Sequence, residues 1–164
     1  MTSPALTVRP VAAEDAAELA ELLNAIIERG GTTALQTPYT PEALDQAYLT
    51  GPDVLCCLVA EAGGQLQGFQ TLGRYKGLPD DVGDIGTFAR VGGTQAGVGS
   101  ALFAATRQQA RALGLSALNA TIRADNVGGL AFYSRMGFVD HDVLTGVPLD
   151  DGTPVDRIRK RYVL

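Results

Sequence analysis

A strand that passes through a glycine-rich turn into a helix is the feature that most constrains how this chain folds. The stretch from Asp84 to Ser100 begins as a strand, and Gly97 and Gly99 lie where a helical pattern starts. Apolar residues then recur along one helical face, at Val98, Ala101, Leu102 and Ala105. The first turn of a helix has backbone N–H groups without internal partners, and its dipole favours negative charge. The turn therefore predicts a backbone cradle for an anion, most simply a phosphate.

The glycine turn alone also fits a simpler interpretation. Short glycine motifs match by chance, so the segment is equally consistent with a flexible connection. A nucleotide P-loop is excluded, because no Gly-Lys-Ser/Thr ends the motif. A dinucleotide fingerprint fits poorly, because Ser100, Ala101 and Leu102 follow Gly99 where a third glycine is needed.

Length and charge limit the class of protein. The chain has 164 residues, and we expect residues 1–164 to form a single domain with its own core. Its net charge of −5 argues against a general nucleic-acid binder, although it allows a local basic pocket. The longest apolar run, from Val54 to Ala60, is far too short to span a bilayer. The N-terminus lacks a hydrophobic signal core, so we expect a cytoplasmic protein that does not bind membranes.

The cysteines and the single histidine offer no metal or nucleophile chemistry. Cys56 and Cys57 are neighbours in an apolar strand, so they should point to opposite faces and not bond each other. Their spacing is not that of metal ligands, and we expect them to fill the core. His141 is expected at the surface or in a turn, and no metal cofactor is predicted.

Hydrophobic periodicity and turn residues predict a regular succession of elements. Helices are predicted at 13–29, 42–49, from the glycine turn to 113, and at 126–136. Strands are predicted at 6–11, 54–61, 66–74, 84–91, 117–122, 138–144 and 155–163. This order indicates a mixed α/β sheet with helices on both faces. The strands at 84–91 and 117–122 should be parallel neighbours, with the ligand at the carboxyl end of the first.

Two motifs in this order carry a resemblance to a known family. The first is Thr94-Gln95-Ala96-Gly97-Val98-Gly99, close to the pattern Gln/Arg-x-x-Gly-x-Gly/Ala. The second starts at Asn126, reaches Tyr133 and ends in Gly137-Phe138, close to Asn-x-x-Ala-x-x-x-Tyr followed by Gly-Phe. Together they resemble the GNAT superfamily of acyl-CoA N-acyltransferases. The N-terminal helices and the closing strand look most similar to its phosphinothricin-acetyltransferase-like branch.

The chain departs from these patterns at two positions. Thr94 stands where the family usually has arginine or glutamine, and Gly129 stands where alanine is common. Thr94 lacks a long polar side chain, but most of the predicted cradle is backbone. We therefore expect weaker anchoring of the phosphate rather than lost binding.

The resemblance implies a fold and a co-substrate. It implies a mixed, mostly antiparallel central sheet of about six to seven strands, with a splayed parallel pair at the cofactor site. It implies acetyl-CoA, whose pantetheine arm pairs with the backbone of Thr87, Phe88 and Ala89. It further implies that Asn126 and Tyr133 contact the cofactor. The pyrophosphate would be bound by the N–H groups of Gln95, Ala96, Gly97, Val98, Gly99 and Ser100.

The resemblance also implies which residues act as the general acid and the general base. Tyr133 matches the family's general acid at the thiol, and the alternative is an aromatic residue packed in the core. Asp84 lies where some relatives place a glutamate base and would act through a water, and the alternative is a solvated carboxylate at a hairpin end. Other relatives place their glutamate on the next strand, where this chain has Thr121. Glu28 at the end of the first helix and water alone are further alternatives for the base.

Contacts to the acceptor are expected from three places. They are the loop 31–39, which includes Thr33, the pair Arg74 and Tyr75 after the hairpin, and Glu28 at the end of the first helix. Arg74 could pair with a substrate carboxylate or simply lie on the surface. The basic run 157–161 has two interpretations, as charges that blunt a sheet edge or as a site for the cofactor's terminal phosphate.

These observations predict an acetyl-CoA-dependent N-acetyltransferase, an acyltransferase that acts directly on the primary amine of a small molecule or amino acid in a ternary complex. One alternative is an acetyltransferase for protein N-termini or lysines. Another is a non-catalytic acyl-CoA-binding or sensing module. The resemblance implies a homodimer as a common state of the family, and no nucleic-acid partner is expected.

Overall fold

The computed structural model describes residues 4–164 as a seven-stranded sheet with helices on both faces. The strands are β1 (Thr7–Pro10), β2 (Val54–Ala62), β3 (Gln65–Gly73), β4 (Val82–Ala89), β5 (Ala117–Arg123), β6 (Val139–Pro148) and β7 (Pro154–Val163). The helices are α1 (Ala16–Arg29), α2 (Pro41–Leu44), α3 (Val98–Ala112) and α4 (Val127–Arg135). A 3-10 turn precedes α1, and a π-helix over Asp45–Leu49 follows α2.

The strands lie in the order β1-β2-β3-β4-β5-β7-β6, and every neighbouring pair is antiparallel except β4 and β5. The crossover between these two parallel strands is α3, as the glycine turn predicted. The prediction of a mixed, mostly antiparallel sheet is confirmed.

Two apolar layers hold the helices on the sheet. On one face, α1 buries a stripe of leucines and isoleucines against Cys57, Val59 and Phe69. On the other face, Phe103 of α3 packs near Phe138, with their ring centroids 5.5 Å apart. The two cysteines point into opposite layers and are free thiols, as predicted. Burial raises the pKa of Cys56 to about 11, so this thiol is protonated at neutral pH.

The predicted second helix differs from expectation in its last turn. It begins where Thr40 Oγ1 accepts the N–H of Ala43 at 3.1 Å, a normal N-cap. It then widens, because the Asp45 carbonyl accepts the N–H groups of both Thr50 and Gly51. Thr71 on β3 fixes this end by donating its hydroxyl to the Tyr48 carbonyl at 2.6 Å. A contact with a distant strand thus produces a π-turn that local periodicity cannot reveal.

The interpretation of the basic run 157–161 as protection of a sheet edge is wrong. These residues lie on β7, which is covered by β5 on one side and β6 on the other. Lys160 is buried, and its ammonium donates to Asp140 and to Ser134 Oγ. The alternating arginines lie on an interior strand of the sheet, and two of them, Arg157 and Arg159, face the site described below.

Candidate active site

The parallel strands β4 and β5 pair along only part of their length. Their register contains Val82 with Ala117, Gly83 with Leu118 and Asp84 with Asn119, and pairing then stops. Both strands nevertheless continue, β4 to Ala89 and β5 to Arg123. The edge of β4 that faces β5 is therefore open from residue 85 onward, which is the splay expected from the sequence.

A cavity of about 730 Å³ lies at this splay. Its size is that of a pocket for a small molecule or a cofactor arm. Of the predicted site residues, the cavity is lined by Thr33, Arg74, Tyr75, Asp84, Thr87, Phe88, Ala89, Gly99, Asn126 and Tyr133. Residues from both faces of the sheet thus reach one cavity.

The glycine turn leads into α3 with a left-handed residue at its N-cap. Gly97 has φ +76°, and a Cβ there would meet nothing within 4 Å. The predicted cradle is thus open to solvent at this point, and Gln95, Ala96 and Ser100 lie around it at or near the surface. Val98 instead points into the core. The main chain supplies the donors here, because the first N–H groups of a helix have no internal partners.

Gly99 packs against the ring of Phe132 on α4. A Cβ on Gly99 would lie 2.5 Å from Cε1 of Phe132, a distance that real Cβ atoms do not show. The glycine therefore lets α3 approach α4 closely. This reason was not visible in the sequence, because it depends on a contact between two helices.

Tyr133 is buried, and its hydroxyl belongs to a chain of polar side chains. Tyr133 Oη lies 2.8 Å from Thr87 Oγ1, and Gln70 Nε2 donates to the same Thr87 oxygen at 2.9 Å. Because the amide donates to Thr87, the threonine proton is free to point at Tyr133, which leaves the phenol proton for another acceptor. Burial raises the pKa of Tyr133 well above its usual value, with a further increase from the charge of Asp84. The phenol is protonated at neutral pH.

Gln70 belongs to this series of hydrogen-bonded side chains, and the sequence analysis did not predict it. Its side chain is fully buried, and its Oε1 has no partner among the described residues. A buried glutamine on an apolar strand is unusual enough to be a signal. Its target, Thr87, could only be identified from the register of β3 with β4.

Asp84 lies at the last paired position before the splay. Asn119 Nδ2 donates to its Oδ1 at 3.0 Å, and Arg161 Nε in turn donates to Asn119 Oδ1 at 3.0 Å. Burial raises the pKa of Asp84, while the Asn119 hydrogen bond and the charges of Arg159 and Arg161 oppose that rise. Asp84 is therefore not the solvated hairpin-end carboxylate of the alternative interpretation, and a carboxylate with a raised pKa is suited to accept a proton near neutrality.

Asn126 caps α4 and holds a loop at the same time. Its Oδ1 accepts the N–H of Gly129 at 3.0 Å, and its Nδ2 donates to the Thr32 carbonyl at 3.0 Å. The guanidinium of Arg123 donates to the neighbouring Thr33 carbonyl at 3.0 Å. The start of the loop 31–39 is thereby tied to the carboxyl end of β5, beside the cavity.

Glu28 is the predicted acceptor contact that the cavity does not include. It is exposed at the end of α1 and is not a lining residue. Arg157 and Arg159 of β7, which were considered only as members of the basic run and not as acceptor contacts, do line the cavity. Their spacing of two residues places them on one face of a strand, and this alternation was the available signal.

Comparison with known proteins identifies the family. The sequence profile of the Acetyltransferase (GNAT) family matches residues 19–138. The chain belongs to the GNAT acetyltransferase family. Its sheet, its splayed strand pair and its glycine turn are thus those of a GNAT acetyltransferase. Among curated proteins, no sequence match to this GNAT chain is found.

Solved structures share the fold at low sequence identity. Ribosomal-protein-alanine N-acetyltransferase from Brucella melitensis has a TM-score of 0.84 at 21% identity, covering 96% of this chain and 99% of that chain. An N-acetyltransferase from Staphylococcus aureus Mu50 has a TM-score of 0.83 at 19% identity, covering 97% and 98%. A GNAT phosphinothricin acetyltransferase from Sinorhizobium meliloti, in complex with AcCoA, has a TM-score of 0.81 at 17% identity, covering 97% and 88%. The predicted likeness to phosphinothricin-acetyltransferase-like GNAT proteins is confirmed for the fold.

The residues at the splay fit acetyl-CoA. The open edge of β4 at Thr87, Phe88 and Ala89 offers backbone groups to an extended arm. The empty space at Gly97 and the helix start beyond it offer N–H donors to a pyrophosphate. Within residues 4–164, no cluster of histidine, cysteine and carboxylate side chains could hold a metal ion. No helix of that described range is long and apolar enough to cross a membrane.

Proposed function

We propose that this GNAT chain is an N-acetyltransferase that transfers the acetyl group of acetyl-CoA to the primary amine of a small molecule, by direct attack in a ternary complex. The observation that carries the proposal is the meeting of Asp84 and Tyr133, from opposite faces of the sheet, in one cavity at the splay. When bound, acetyl-CoA supplies an acetyl thioester. The protein has to move two protons and hold both partners in place.

Asp84 has the properties of the proton acceptor. An amine is protonated at neutral pH and must lose a proton before it can attack a carbonyl carbon. The raised pKa of Asp84 brings its carboxylate closer to the working pH. Asn119 donates a hydrogen bond to this carboxylate, and Arg161 in turn holds the Asn119 side chain in place. Asp84 accepts the proton directly or through one water.

Tyr133 has the properties of the proton donor. Its phenol remains protonated at neutral pH. Gln70 donates to the Thr87 hydroxyl, and that hydroxyl can donate to the Tyr133 oxygen. The phenol proton can then be given to a departing thiolate. The backbone N–H near Ala89 is the candidate donor to the carbonyl oxygen on which negative charge develops.

The loop over the cavity supports a small acceptor rather than a protein. Residues 32–35 line the cavity, and Asn126 and Arg123 hold the carbonyls of Thr32 and Thr33. The loop's far end is tied to the turn between β6 and β7, where Gln36 donates to Asp151 and Thr37 to Asp150. A loop that is held at both ends narrows the space available to an incoming chain.

The test is the release of free thiol from acetyl-CoA, measured against a panel of amines, amino acids and short peptides, with acetyl-CoA affinity measured in parallel. We expect turnover with amines or amino acids, and an acetamide product in the mass spectrum. Turnover with peptides alone would make the chain a protein acetyltransferase. Tight binding of acetyl-CoA without turnover on any acceptor would make it a sensing module.

A further inference from the structure

One face of the sheet beside the cavity carries a row of arginines. Arg157, Arg159 and Arg161 alternate along β7, and Arg123 of β5 lies opposite Arg157 in the strand register. Three of them, Arg123, Arg157 and Arg159, line the cavity. A chain with a net charge of −5 therefore places three arginines on the wall of this cavity. Such a concentration has a cost unless anions balance it.

Three of these arginines already have partners. Arg159 forms a two-point ion pair with Asp142. Arg123 forms another with Asp125 and also donates to the Thr33 carbonyl. Arg161 donates to Asn119 Oδ1. Each of the three therefore has an acceptor within the protein that explains its position.

Arg157 is the exception. None of the ion pairs found within residues 4–164 involves it. Its Nε is buried and has no hydrogen-bond acceptor in that part of the chain. A buried N–H of a charged group without an acceptor is destabilising, because it has lost water and gained nothing in exchange. Arg157 also lines the cavity, and a guanidinium that has no acceptor within residues 4–164 is available to a ligand that brings an oxyanion.

We propose that Arg157 binds a carboxylate of the acceptor, so that the acceptor is an amine that also carries a carboxylate, as an amino acid does. The guanidinium fork matches a carboxylate with two parallel hydrogen bonds, which also orients the molecule. The carboxylate lies at Arg157 while the amine faces Asp84. Arg159 and Arg161, on the same strand as Arg157, are near enough to Asp84 for their charges to act on its pKa. This inference rests on the proposed function and narrows its acceptor.

The test compares acceptors that differ only in the carboxylate. Matched pairs are leucine with isopentylamine and phenylalanine with phenethylamine, measured with wild-type protein, Arg157→Gln, Arg157→Lys and the control Arg111→Gln. Arg111 is exposed near the end of α3 and does not line the cavity. We expect wild type to prefer the amino acid, and Arg157→Gln to raise its KM about 10- to 100-fold with kcat nearly unchanged. The KM for the decarboxylated amine should stay the same, and Arg157→Lys should be intermediate.

Binding without chemistry separates this inference from the proposed function. Calorimetric titration of the same compounds into protein saturated with CoA reports acceptor binding in a complex that cannot react. Loss of amino-acid binding in Arg157→Gln supports the carboxylate site even if no acceptor turns over, in which case only the proposed function fails. Equal KM and affinity in wild type and Arg157→Gln, or no preference of wild type for the amino acid in turnover and titration, would overturn the inference. Unfolding temperatures of all variants show whether any loss reflects misfolding.

Discussion

At the scale of single residues, Thr87 connects the buried amide of Gln70 to the phenol of Tyr133 through one hydroxyl. Thr87→Val removes this hydroxyl with little change in shape. We expect kcat to fall about 2- to 10-fold, because one neutral hydrogen bond that orients the phenol is lost. Acetyl-CoA affinity should hold, and Thr87→Ser should restore kcat. Steady-state kinetics with equilibrium binding checks this, and a change in affinity with constant kcat would show that Thr87 serves binding only.

The raised pKa of Asp84 makes the stability of the folded protein depend on pH. The ionised form that would accept a proton is also the form that destabilises the fold. Burial raises its pKa in the folded protein, so the stability it contributes is complete below the ordinary aspartate pKa and is lost as pH rises through the folded value. Asp84→Asn does not titrate. We therefore expect the variant to be more stable than wild type at neutral pH, with the difference vanishing in acid, and to lose activity.

Denaturant unfolding across pH, together with kcat/KM, measures both effects of Asp84→Asn. Asp80→Asn is the control, because Asp80 is exposed on the loop before β4. The acid limb of the wild-type kcat/KM profile should lie above the ordinary aspartate pKa. A variant that is less stable than wild type at neutral pH would show that Asn119, Arg159 and Arg161 outweigh burial.

The sequence indicated the residues that we propose to move protons more readily than those that position them. Tyr133 belongs to a sequence motif, and Asp84 lies on the strand that leads into the glycine turn, so both were visible in the sequence. Gln70, Asn119 and Arg157 were not. Gln70 and Asn119 acquire their roles from partners on another strand, and Arg157 is distinguished by having no partner among the described residues. Cross-strand register is a long-range property that a single sequence does not encode locally.

At the scale of elements, Gly97 and Gly114 offer a matched pair at the two ends of α3. Their φ angles are +76° and +77°, and a Cβ at either position would meet nothing within 4 Å. Alanine at either position should cost about 1–2 kcal/mol, because the left-handed conformation is strained for a residue with a side chain. We expect only Gly97→Ala to weaken acetyl-CoA binding, measured by calorimetry. Equal loss in both variants would show that the cradle is not at Gly97.

Gly99 governs how closely α3 approaches α4. A Cβ there would collide with Phe132, so we expect Gly99→Ala to destabilise the fold by about 1–3 kcal/mol. Phe132→Leu should recover part of the loss in the double variant, which a double-mutant cycle of unfolding free energies measures. The control is Gly128→Ala on α4, where a Cβ meets only Asn126 Oδ1 at 3.9 Å. Strictly additive effects at Gly99 and Phe132 would contradict this packing.

The order and type of the elements were largely predictable, because long amphipathic stripes and glycine turns are local signals. The π-turn after α2 was not, since it depends on Thr71 reaching the Tyr48 carbonyl from β3. The internal position of β7 was also missed, since the closing strand inserts between β5 and β6 instead of ending the sheet. Both differences come from where distant segments meet.

At the scale of the whole molecule, arginines line the cavity although the net charge of the protein is negative. The chain is acidic overall, yet Arg123, Arg157 and Arg159 face the cavity. A local basic wall in an acidic protein attracts small anions without making the surface a general binder of polyanions. This distribution fits a small acidic acceptor and an acyl-CoA better than a nucleic acid.

The proposed function requires that acetyl transfer takes place at the cavity between β4 and β5, with Tyr133 as the acid. Its most direct test is kcat of Tyr133→Phe at saturating acetyl-CoA and acceptor, against the matched control Tyr162→Phe. The Tyr162 hydroxyl contacts Arg107, and Tyr162 is not a lining residue of the cavity. We predict a fall of about 10²- to 10⁴-fold for Tyr133→Phe, unchanged acetyl-CoA affinity, and near-normal turnover for Tyr162→Phe. Full turnover by Tyr133→Phe would contradict the claim.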